Sequence, residues 1–302
     1  LTLALVNTAN LDSVAAELNA DATDVQAAID DPNSIVIFST SPSVRVALAE
    51  AFGQQAGLFC EGKMVGLLRA LGADFVLDTN FSADLTIMEE ACELVERVTK
   101  KTGPLPQFTS CCPAWVKYAE TFHPEMLANI STAKSPIGMQ GPTVKTYFAK
   151  QQSLDPKKIV HVAVTPCTAK KFEIRRDEMC AAGRYLGIDG MRDTDFVITT
   201  TELAQWAQER GLSFDTIEES PFDRLMGEGS GAGVIFGNTG GVMEAALRTA
   251  HFFITGQNAP AQFYDLTPVR GLTDTKEASV QIGDLTLNVA VVYGTANAGR
   301  LI

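Results

Sequence analysis

The chain has 302 residues, 46% of them apolar and 20% charged, which is typical of globular proteins of about two domains. Its formal net charge of −12 argues against nucleic acid as a partner, because phosphate binding requires a basic face. No apolar run approaches the ~18 residues that a membrane helix requires, so we expect no membrane partner.

Short β-branched runs alternate with amphipathic stretches after an alanine-rich N-terminal segment, 1–33, which is predicted to be a linker with helical stretches. The predicted strands are Ser34–Ser39, Asp74–Leu77, Val160–Val164, Phe196–Thr199, Val234–Phe236 and Leu287–Tyr293. The predicted helices are Val44–Phe52, Leu85–Lys100, Trp115–Thr121, Glu202–Arg210 and Val242–His251. This alternation predicts an α/β fold with largely parallel strands, in which ligands lie beyond the carboxyl ends of strands.

Six cysteines are irregularly spaced, and no signal peptide precedes them, which favours thiols or metal ligands in a reducing compartment. Two of them, Cys112 and Cys167, lie in predicted loops beside proline and could be thiolate ligands of an iron–sulfur cluster. The bare spacing favours the alternative that both are ordinary buried cysteines. The remaining thiols outside these loops, Cys60, Cys92 and Cys180, are predicted to be buried or half-buried and to bind no metal.

The two loops in full, Thr-Ser-Cys-Cys-Pro-Ala-Trp at 109–115 and Thr-Pro-Cys-Thr-Ala-Lys-Lys-Phe-Glu at 165–173, resemble the first two signature loops of iron-only (FeFe) hydrogenases. Segments 41–45, 84–90, 133–136 and 231–245 also resemble the family, in its order. The resemblance implies a catalytic domain at 34–302. Its two lobes, about 34–150 and 151–302, would each hold a small, mostly parallel or mixed sheet flanked by helices, with the cluster site in the cleft between them.

The family's third signature, a cysteine pair in a glycine-rich run, would follow Ile302. The resemblance therefore implies that the stretch 1–302 alone lacks two cluster ligands and is inactive by itself.

The resemblance implies reversible hydrogen oxidation and proton reduction at an H-cluster, a 4Fe-4S cubane linked to a di-iron subcluster with CO and CN ligands. Carried over residue by residue, Cys112 and Cys167 resemble cubane ligands, and Lys170 resembles the lysine that donates to a cyanide. The residues that resemble those packing or hydrogen-bonding around the cofactor are Pro42, Ser43, Thr165 and Pro166. Most family members have methionine where this chain has Thr165, so we expect altered packing there.

Three charged residues, Glu90, Glu93 and Arg97, are spaced i, i+3 and i+7 and share one face of a predicted helix. By itself this spacing indicates a solvent-exposed row of charged side chains, with a weak ion pair between Glu93 and Arg97. The resemblance implies instead a proton route that runs from Cys111 through a water to Glu90, then Ser131, Glu93, and Arg97 at the surface.

The implied partners are ferredoxin or a similar electron carrier and the hydrogenase maturation proteins, and the implied compartment is the cytoplasm, or an organelle in a eukaryote. Two alternatives stay open: a non-catalytic, Narf-like cytosolic iron–sulfur assembly factor, and a hydrogen-sensing hydrogenase. Such assembly factors typically lack the first cysteine of the pair, so the presence of Cys111 together with Lys170 favours the enzyme.

Two glycine-rich runs, 227–233 and 237–241, suggest a nucleotide site. Neither run has both the neighbouring elements and the residues that such a site requires. The first precedes a predicted strand, and the second lacks the Lys-Ser or Lys-Thr ending of a phosphate loop. We expect both to let the backbone approach a bulky buried group. His161, within an apolar strand, is predicted to be a hydrogen-bonded core histidine.

Overall fold

The structure is a computed structural model that describes residues 11–269 and 274–302, with the backbone alone for 11–20. The first ten residues of the predicted linker lie outside the described residues. The α-helices are α1 (Leu11–Asp30), α2 (Val44–Ala51), α3 (Glu61–Leu71), α4 (Asn80–Lys100), α5 (Pro113–Phe122), α6 (Pro136–Thr143), α7 (Ala149–Gln151), α8 (Ala169–Glu173), α9 (Ala181–Leu186), α10 (Thr200–Glu209), α11 (Gly231–Phe236), α12 (Gly241–Thr255) and α13 (Thr295–Leu301). The strands are β1 (Ile35–Thr40), β2 (Phe75–Asp78), β3 (Ile159–Val164), β4 (Phe196–Ile198), β5 (Thr267–Pro268), β6 (Thr275–Ile282) and β7 (Leu285–Val292).

The chain forms two compact units, each made of separate stretches of sequence. Unit 1 is Leu1–Phe81 with Gln140–Glu228, and unit 2 is Ser82–Met139 with Gly229–Ile302. This division differs from the predicted sequential lobes, because β3 and β4, which come after residue 150, complete the sheet that β1 and β2 begin. No helix of the described residues combines the length and apolar character of a membrane span.

Unit 1 is built on a four-stranded parallel sheet in the order β2-β1-β3-β4. Its strands are almost wholly buried, as expected for β-branched runs covered on both faces by helices. All four were predicted to within two residues, and the α/β class is confirmed. The strand order reverses between β1 and β3, which makes the carboxyl ends of these two strands the topological switch point, where ligands bind in such sheets.

The two faces of this sheet carry separate apolar cores. Phe38 of β1 packs into the larger core with Leu48 and Met64, whereas its neighbour Ile37 faces the smaller core with Phe148. Successive side chains of a strand point to opposite faces, so one strand supplies both cores. The described part of the predicted N-terminal linker is the helix α1, whose Val25 is fully buried in the larger core.

His161 confirms the predicted core histidine. Its Nε2 lies 2.9 Å from Ser39 Oγ and its Nδ1 lies 3.1 Å from Thr194 Oγ1, with the ring fully buried. Burial, together with the charge of Lys145, lowers its pKa to about 3, so the ring is neutral at physiological pH.

Unit 2 contains a three-stranded antiparallel sheet, β5-β6-β7, and the predicted strand Leu287–Tyr293 is β7 of this sheet rather than a parallel strand. The predicted strand Val234–Phe236 is wrong, because these three residues form the last turn of the helix α11. Ser230 caps that helix by accepting a hydrogen bond from the Ala232 N–H at 3.1 Å.

Candidate active site

The switch point of the unit 1 sheet brings two predicted cofactor loops together. Ser41 donates its backbone N–H to Val164 O at 2.9 Å, which joins the end of β1 to the end of β3. Thr165 is buried and donates its N–H to Ile198 O at 3.0 Å. The predicted cofactor residues that follow these two strands are Pro42, Ser43, Thr165, Pro166 and Cys167. They therefore occupy the edge of the sheet where ligands bind.

The second cysteine loop turns directly into the short helix α8. Cys167 is half-buried, and its carbonyl accepts the N–H of Lys170 at 3.2 Å. Lys170 Nζ lies 2.8 Å from Glu173 Oε2, and both side chains are nearly buried. Sequence reasoning did not assign Glu173 a role, although its i+3 spacing from Lys170 was a signal for this pair. The pair fixes an ammonium donor close to the cysteine turn.

The first cysteine loop ends at the N-terminus of α5. Cys112 is exposed at the N-cap, Pro113 occupies the first helical position, and the cysteine side chain makes no capping hydrogen bond. The positive end of the helix dipole therefore faces this sulfur and complements an anionic group there. Trp115 fixes the loop by donating its indole N–H to Thr109 O at 3.2 Å and by packing edge-on against Phe108.

Ser131 is brought beside the first cysteine loop by a pair of backbone hydrogen bonds in unit 2. Phe108 donates its N–H to Asn129 O at 2.9 Å, and Ser131 donates its N–H to Phe108 O at 2.8 Å. The hydroxyl of Ser110 also donates to Ala133 O. These bonds fasten the segment that precedes the half-buried Cys111 to the segment that carries Ser131.

Glu93, on α4, accepts hydrogen bonds from three different residues. Ser131 Oγ donates to its Oε2 at 2.6 Å, the Thr132 N–H donates to the same oxygen at 2.9 Å, and Arg97 donates to Oε1 at 2.6 Å. Burial alone would raise the pKa of Glu93. The hydrogen bonds from Ser131, Arg97 and Thr132 outweigh burial, and they hold the pKa below its usual value.

Arg97 is buried, with 5% of its surface exposed. Both the prediction of a solvent-exposed charged face and the prediction that the proton route reaches the surface at Arg97 are therefore wrong. Besides its bonds to Glu93, the guanidinium donates to Pro104 O at 3.0 Å and to Asn129 O and Ile130 O at 3.2 Å. Because an arginine stays protonated in proteins, it cannot pass a proton on. Its contacts make it an anchor for Glu93 and for the Asn129–Ile130 backbone.

Glu90 lies one helical turn before Glu93 and is 2% exposed. Neither of its carboxylate oxygens accepts a hydrogen bond of normal geometry from a described residue. Burial and the negative charge of Glu93 raise its pKa to about 8, and the nearby N–H of Ser110, next to Cys111, opposes this only weakly. At neutral pH, Glu90 is therefore protonated while Glu93 is ionised, so neighbouring carboxyl groups differ in charge.

The donor chemistry at the two cysteine loops fits an iron–sulfur cofactor. Cys112 and Cys167 are accessible thiols, and cysteine thiolates are the usual ligands of such clusters. Cys112 belongs to unit 2 and Cys167 to unit 1. Among residues 11–269 and 274–302, no group of three or more Cys, His, Asp or Glu side chains has metal-binding geometry.

The remaining cysteines occupy other environments. Cys60 is buried at the start of α3, and burial raises its pKa. Cys92 is exposed on α4, so the prediction that it is buried or half-buried is wrong. Cys180 is half-buried, as predicted, and donates its thiol to Asp177 O at 3.1 Å.

The glycine-rich runs have local reasons for their composition. A Cβ on Gly227 would lie 2.0 Å from Asp223 O, and a Cβ on Gly241 would lie 1.8 Å from Ile235 O. The chain's own backbone therefore excludes a side chain at both positions. At these two positions the requirement for glycine is therefore local, and the approach of the runs to a bulky buried group stays a prediction.

The sequence profile described as "Iron only hydrogenase large subunit, C-terminal domain" matches residues 34–302. The chain is 48% identical over 273 residues to iron hydrogenase 1 of Clostridium pasteurianum, covering 90% of this chain and 46% of that protein. It is 47% identical over 272 residues to the periplasmic Fe hydrogenase large subunit of Nitratidesulfovibrio vulgaris, covering 90% and 62% of the two chains. The chain thus spans about half to three-fifths of the length of these relatives.

A second group of relatives includes cytosolic iron-sulfur assembly component 3 of Bos taurus, which is 34% identical over 280 residues and covers 90% of this chain and 57% of that protein. Among solved structures, an apo variant of the FeFe hydrogenase HydA1 from Chlamydomonas reinhardtii superposes with a TM-score of 0.77 at 39% identity. That match covers 92% of this chain and 77% of the other. The profile match over nine-tenths of the residues shows that the chain belongs to the iron-only hydrogenase large-subunit family, within its C-terminal domain.

Proposed function

We propose that the full-length protein interconverts hydrogen with protons and electrons, and that this chain carries the proton-transfer groups. The observation that carries the proposal is the buried, protonated Glu90 beside the ionised, hydrogen-bonded Glu93. Both lie in the part of the chain that matches the iron-only hydrogenase family. Neighbouring acids held in opposite charge states at neutral pH are suited to receiving and releasing protons.

Cys112 and Cys167 are the proposed thiolate ligands of the cubane of an H-cluster, and Lys170 is the proposed donor to one of its cyanide ligands. Pro42, Ser43, Thr165 and Pro166 would contact the cofactor from the carboxyl ends of β1 and β3. When bound, the H-cluster supplies the iron chemistry that splits and forms hydrogen. The protein supplies ligands, orientation and the path for protons.

The proposed proton path runs from the thiol of Cys111 through a bridging water to Glu90, then through Ser131 to Glu93. Neither buried Glu90 oxygen accepts a hydrogen bond of normal geometry from a described residue, which suits a water that bridges to Cys111. The Ser131 hydroxyl can accept one proton while it donates another to Glu93 at 2.6 Å. Arg97 has a positioning role in this path, because it holds Glu93 in its hydrogen-bonding orientation.

The proposed electron partner is ferredoxin or a similar carrier, and the proposed assembly partners are the hydrogenase maturation proteins. A reducing cytoplasm suits six free cysteines. One relative is named a periplasmic hydrogenase, so the compartment needs a direct test. Cell fractionation with antibody detection is that test, and recovery in the periplasmic fraction would contradict a cytoplasmic location.

An iron–sulfur assembly function is the second candidate, because relatives with that name match most of the chain. The first cysteine of the pair, Cys111, weighs against it, as does the Lys170–Glu173 pair beside the second loop. A hydrogen-sensing hydrogenase would have the same cluster site, and it would differ from the enzyme in passing the signal to a signalling domain.

Hydrogen evolution from a reduced dye tests the proposal in the full-length protein matured with its cofactor. Loss of a proton-transfer group costs about 100-fold or more in rate, so Cys111→Ala should lower evolution by that factor while iron content is unchanged. Cys92→Ala is the matched control, since Cys92 is exposed on α4 and outside the path. Wild-type evolution by Cys111→Ala would refute the proton path, and an inactive, fully matured wild type would refute the enzyme.

A further inference from the structure

Unit 1 contains a buried cluster of charges outside the site described above. Lys171 Nζ lies 2.8 Å from Asp21 Oδ2 and 2.9 Å from Glu202 Oε1. Asp21 is 5% and Lys171 6% exposed, and the exposed Arg175 stands 3.7 Å from the other oxygen of Asp21. Two carboxylates therefore meet two cations, so the cluster is close to electrically neutral. We call these four residues the Lys171 cluster.

The Lys171 cluster joins three helices. Asp21 comes from α1, Lys171 from α8 and Glu202 from α10. Glu202 also accepts the N–H of Thr199 at 2.8 Å in the capping box of α10, which ties its carboxylate to the end of β4. Helix α1 precedes residue 34, where the match to the hydrogenase family begins. It nevertheless belongs to the core of unit 1, with Val25 fully buried.

Lys171 is adjacent in sequence to Lys170, the proposed cofactor donor. Consecutive residues of a helix point about 100° apart, so fixing one side chain fixes the direction of the next. Lys171 is held by Asp21 and Glu202 on one side of α8, and Lys170 is held by Glu173 on another. The Lys170 N–H in turn donates to Cys167 O at 3.2 Å, so the cysteine turn is continuous with this short helix.

We propose that helix α1 is a positioning element for the second cysteine loop, and that it acts through Asp21 on Lys171 to hold Lys170 and Cys167 in place. The proposal rests on the proposed function for the roles of Cys167 and Lys170. It assigns a function to a segment that lies before the family domain.

The chemistry of the cluster suits positioning better than general stability. A buried ion pair contributes little net stability, because desolvation of its charges offsets their attraction. Charge-assisted hydrogen bonds have narrow geometry, so the two that Lys171 donates, to Asp21 and to Glu202, hold an α-helix of only five residues in one orientation. An apolar contact of the same size would permit sliding and rotation.

Hydrogen–deuterium exchange of the full-length protein, produced without its cofactor, tests this directly. Asp21→Asn should speed exchange about tenfold in peptides covering 166–175, whose reporter amides include Lys170 and Ile174. The control is Asp24→Asn, which removes the same charge from an exposed position of the same helix and should leave these peptides unchanged. Glu202→Gln, which preserves the capping box, is the second variant if Asp21→Asn folds poorly.

Two results would overturn the proposal. One is unchanged exchange in 166–175 for both Asp21→Asn and Glu202→Gln. The other is equal acceleration in 166–175 and in 35–40, the peptide of β1, which would make α1 a general stabilising helix.

After maturation, Asp21→Asn should also displace the cyanide infrared bands, and Asp24→Asn should not. Cyanide bands that stay in place in a folded, matured Asp21→Asn would contradict an effect on Lys170. A wild type without such bands would refute the proposed function, while the exchange experiment would still decide the role of α1.

Discussion

Replacing Glu90 by glutamine should stabilise unit 2 at alkaline pH and leave its stability nearly unchanged at acid pH. Glutamine has the shape of a protonated glutamate and cannot ionise, so it preserves the neutral state that the buried site favours. At alkaline pH the wild-type carboxyl group lowers the free energy of unfolding, because its pKa is higher in the folded state than in the unfolded state. Glutamine removes this destabilisation.

The magnitude follows from the two pKa values of Glu90, about 8 in the folded protein and 4.5 as the ordinary value. Between these values the folded state binds more protons than the unfolded state, so wild-type stability falls as pH rises. At about 1.4 kcal/mol per pH unit, the full interval corresponds to an upper value of about 5 kcal/mol. The advantage of Glu90→Gln should be absent below pH 4.5, grow up to pH 8 and stay constant above it.

The two tryptophans allow each unit to be followed separately, because Trp115 lies in unit 2 and Trp206 in unit 1. Urea unfolding monitored by Trp115 fluorescence in a Trp206→Phe background, at pH 5, 7 and 9, measures the predicted difference. Glu89→Gln is the matched control, since Glu89 is the exposed neighbour on the same helix and its change should stay within about 0.5 kcal/mol. A Glu90→Gln curve parallel to wild type from pH 5 to 9 would refute the raised pKa of Glu90.

Two further predictions concern packing and anchoring. Arg97→Met should destabilise unit 2 by about 3 kcal/mol, because the partly buried Glu93 carboxylate loses its cationic partner and three backbone carbonyls each lose a hydrogen bond. Lys100→Met, at an exposed ion pair, should cost under about 1 kcal/mol. Equal losses in urea unfolding would contradict the anchor role. Gly66→Ala should destabilise unit 1 by about 1–3 kcal/mol, since its Cβ would lie 1.9 Å from Glu218 O. Gly62→Ala is the milder comparison, because its Cβ would lie 3.0 Å from the Cβ of Glu219 and would not overlap backbone, so it should cost less than Gly66→Ala. A thermal midpoint for Gly66→Ala as high as for Gly62→Ala would refute the steric argument.

The parallel sheet could be predicted because buried strands of an α/β fold are continuous β-branched runs. Ile159–Val164 is such a run, and its assignment needed no knowledge of its neighbours. Val234–Phe236 is also apolar and partly β-branched, but the run has only three residues. So short a run does not favour a strand strongly enough to prevent the helix that Ser230 caps. The strand Thr275–Ile282 was missed, although Gly283-Asp284 is a two-residue hairpin turn that signals it.

The sequence predicted which residues form the candidate site, but it did not predict their burial or their pKa values. The spacing of Glu90, Glu93 and Arg97 predicted one helix face, and the structure places that face against other parts of unit 2. The burial that raises the pKa of Glu90 depends on those tertiary neighbours, so no local pattern could reveal it. Asp21 and Lys171 are 150 residues apart, and only the folded sheet brings them together.

Cys112 and Cys167 are proposed to help hold an H-cluster, and Lys170 to donate to one of its cyanide ligands. The infrared spectrum of the full-length protein, matured with its assembly proteins, tests this most directly. We expect sharp carbon monoxide and cyanide bands in the wild type, displaced cyanide bands in Lys170→Met, and no bands in Cys167→Ala. A fully assembled iron–sulfur protein without carbon monoxide and cyanide bands would contradict it.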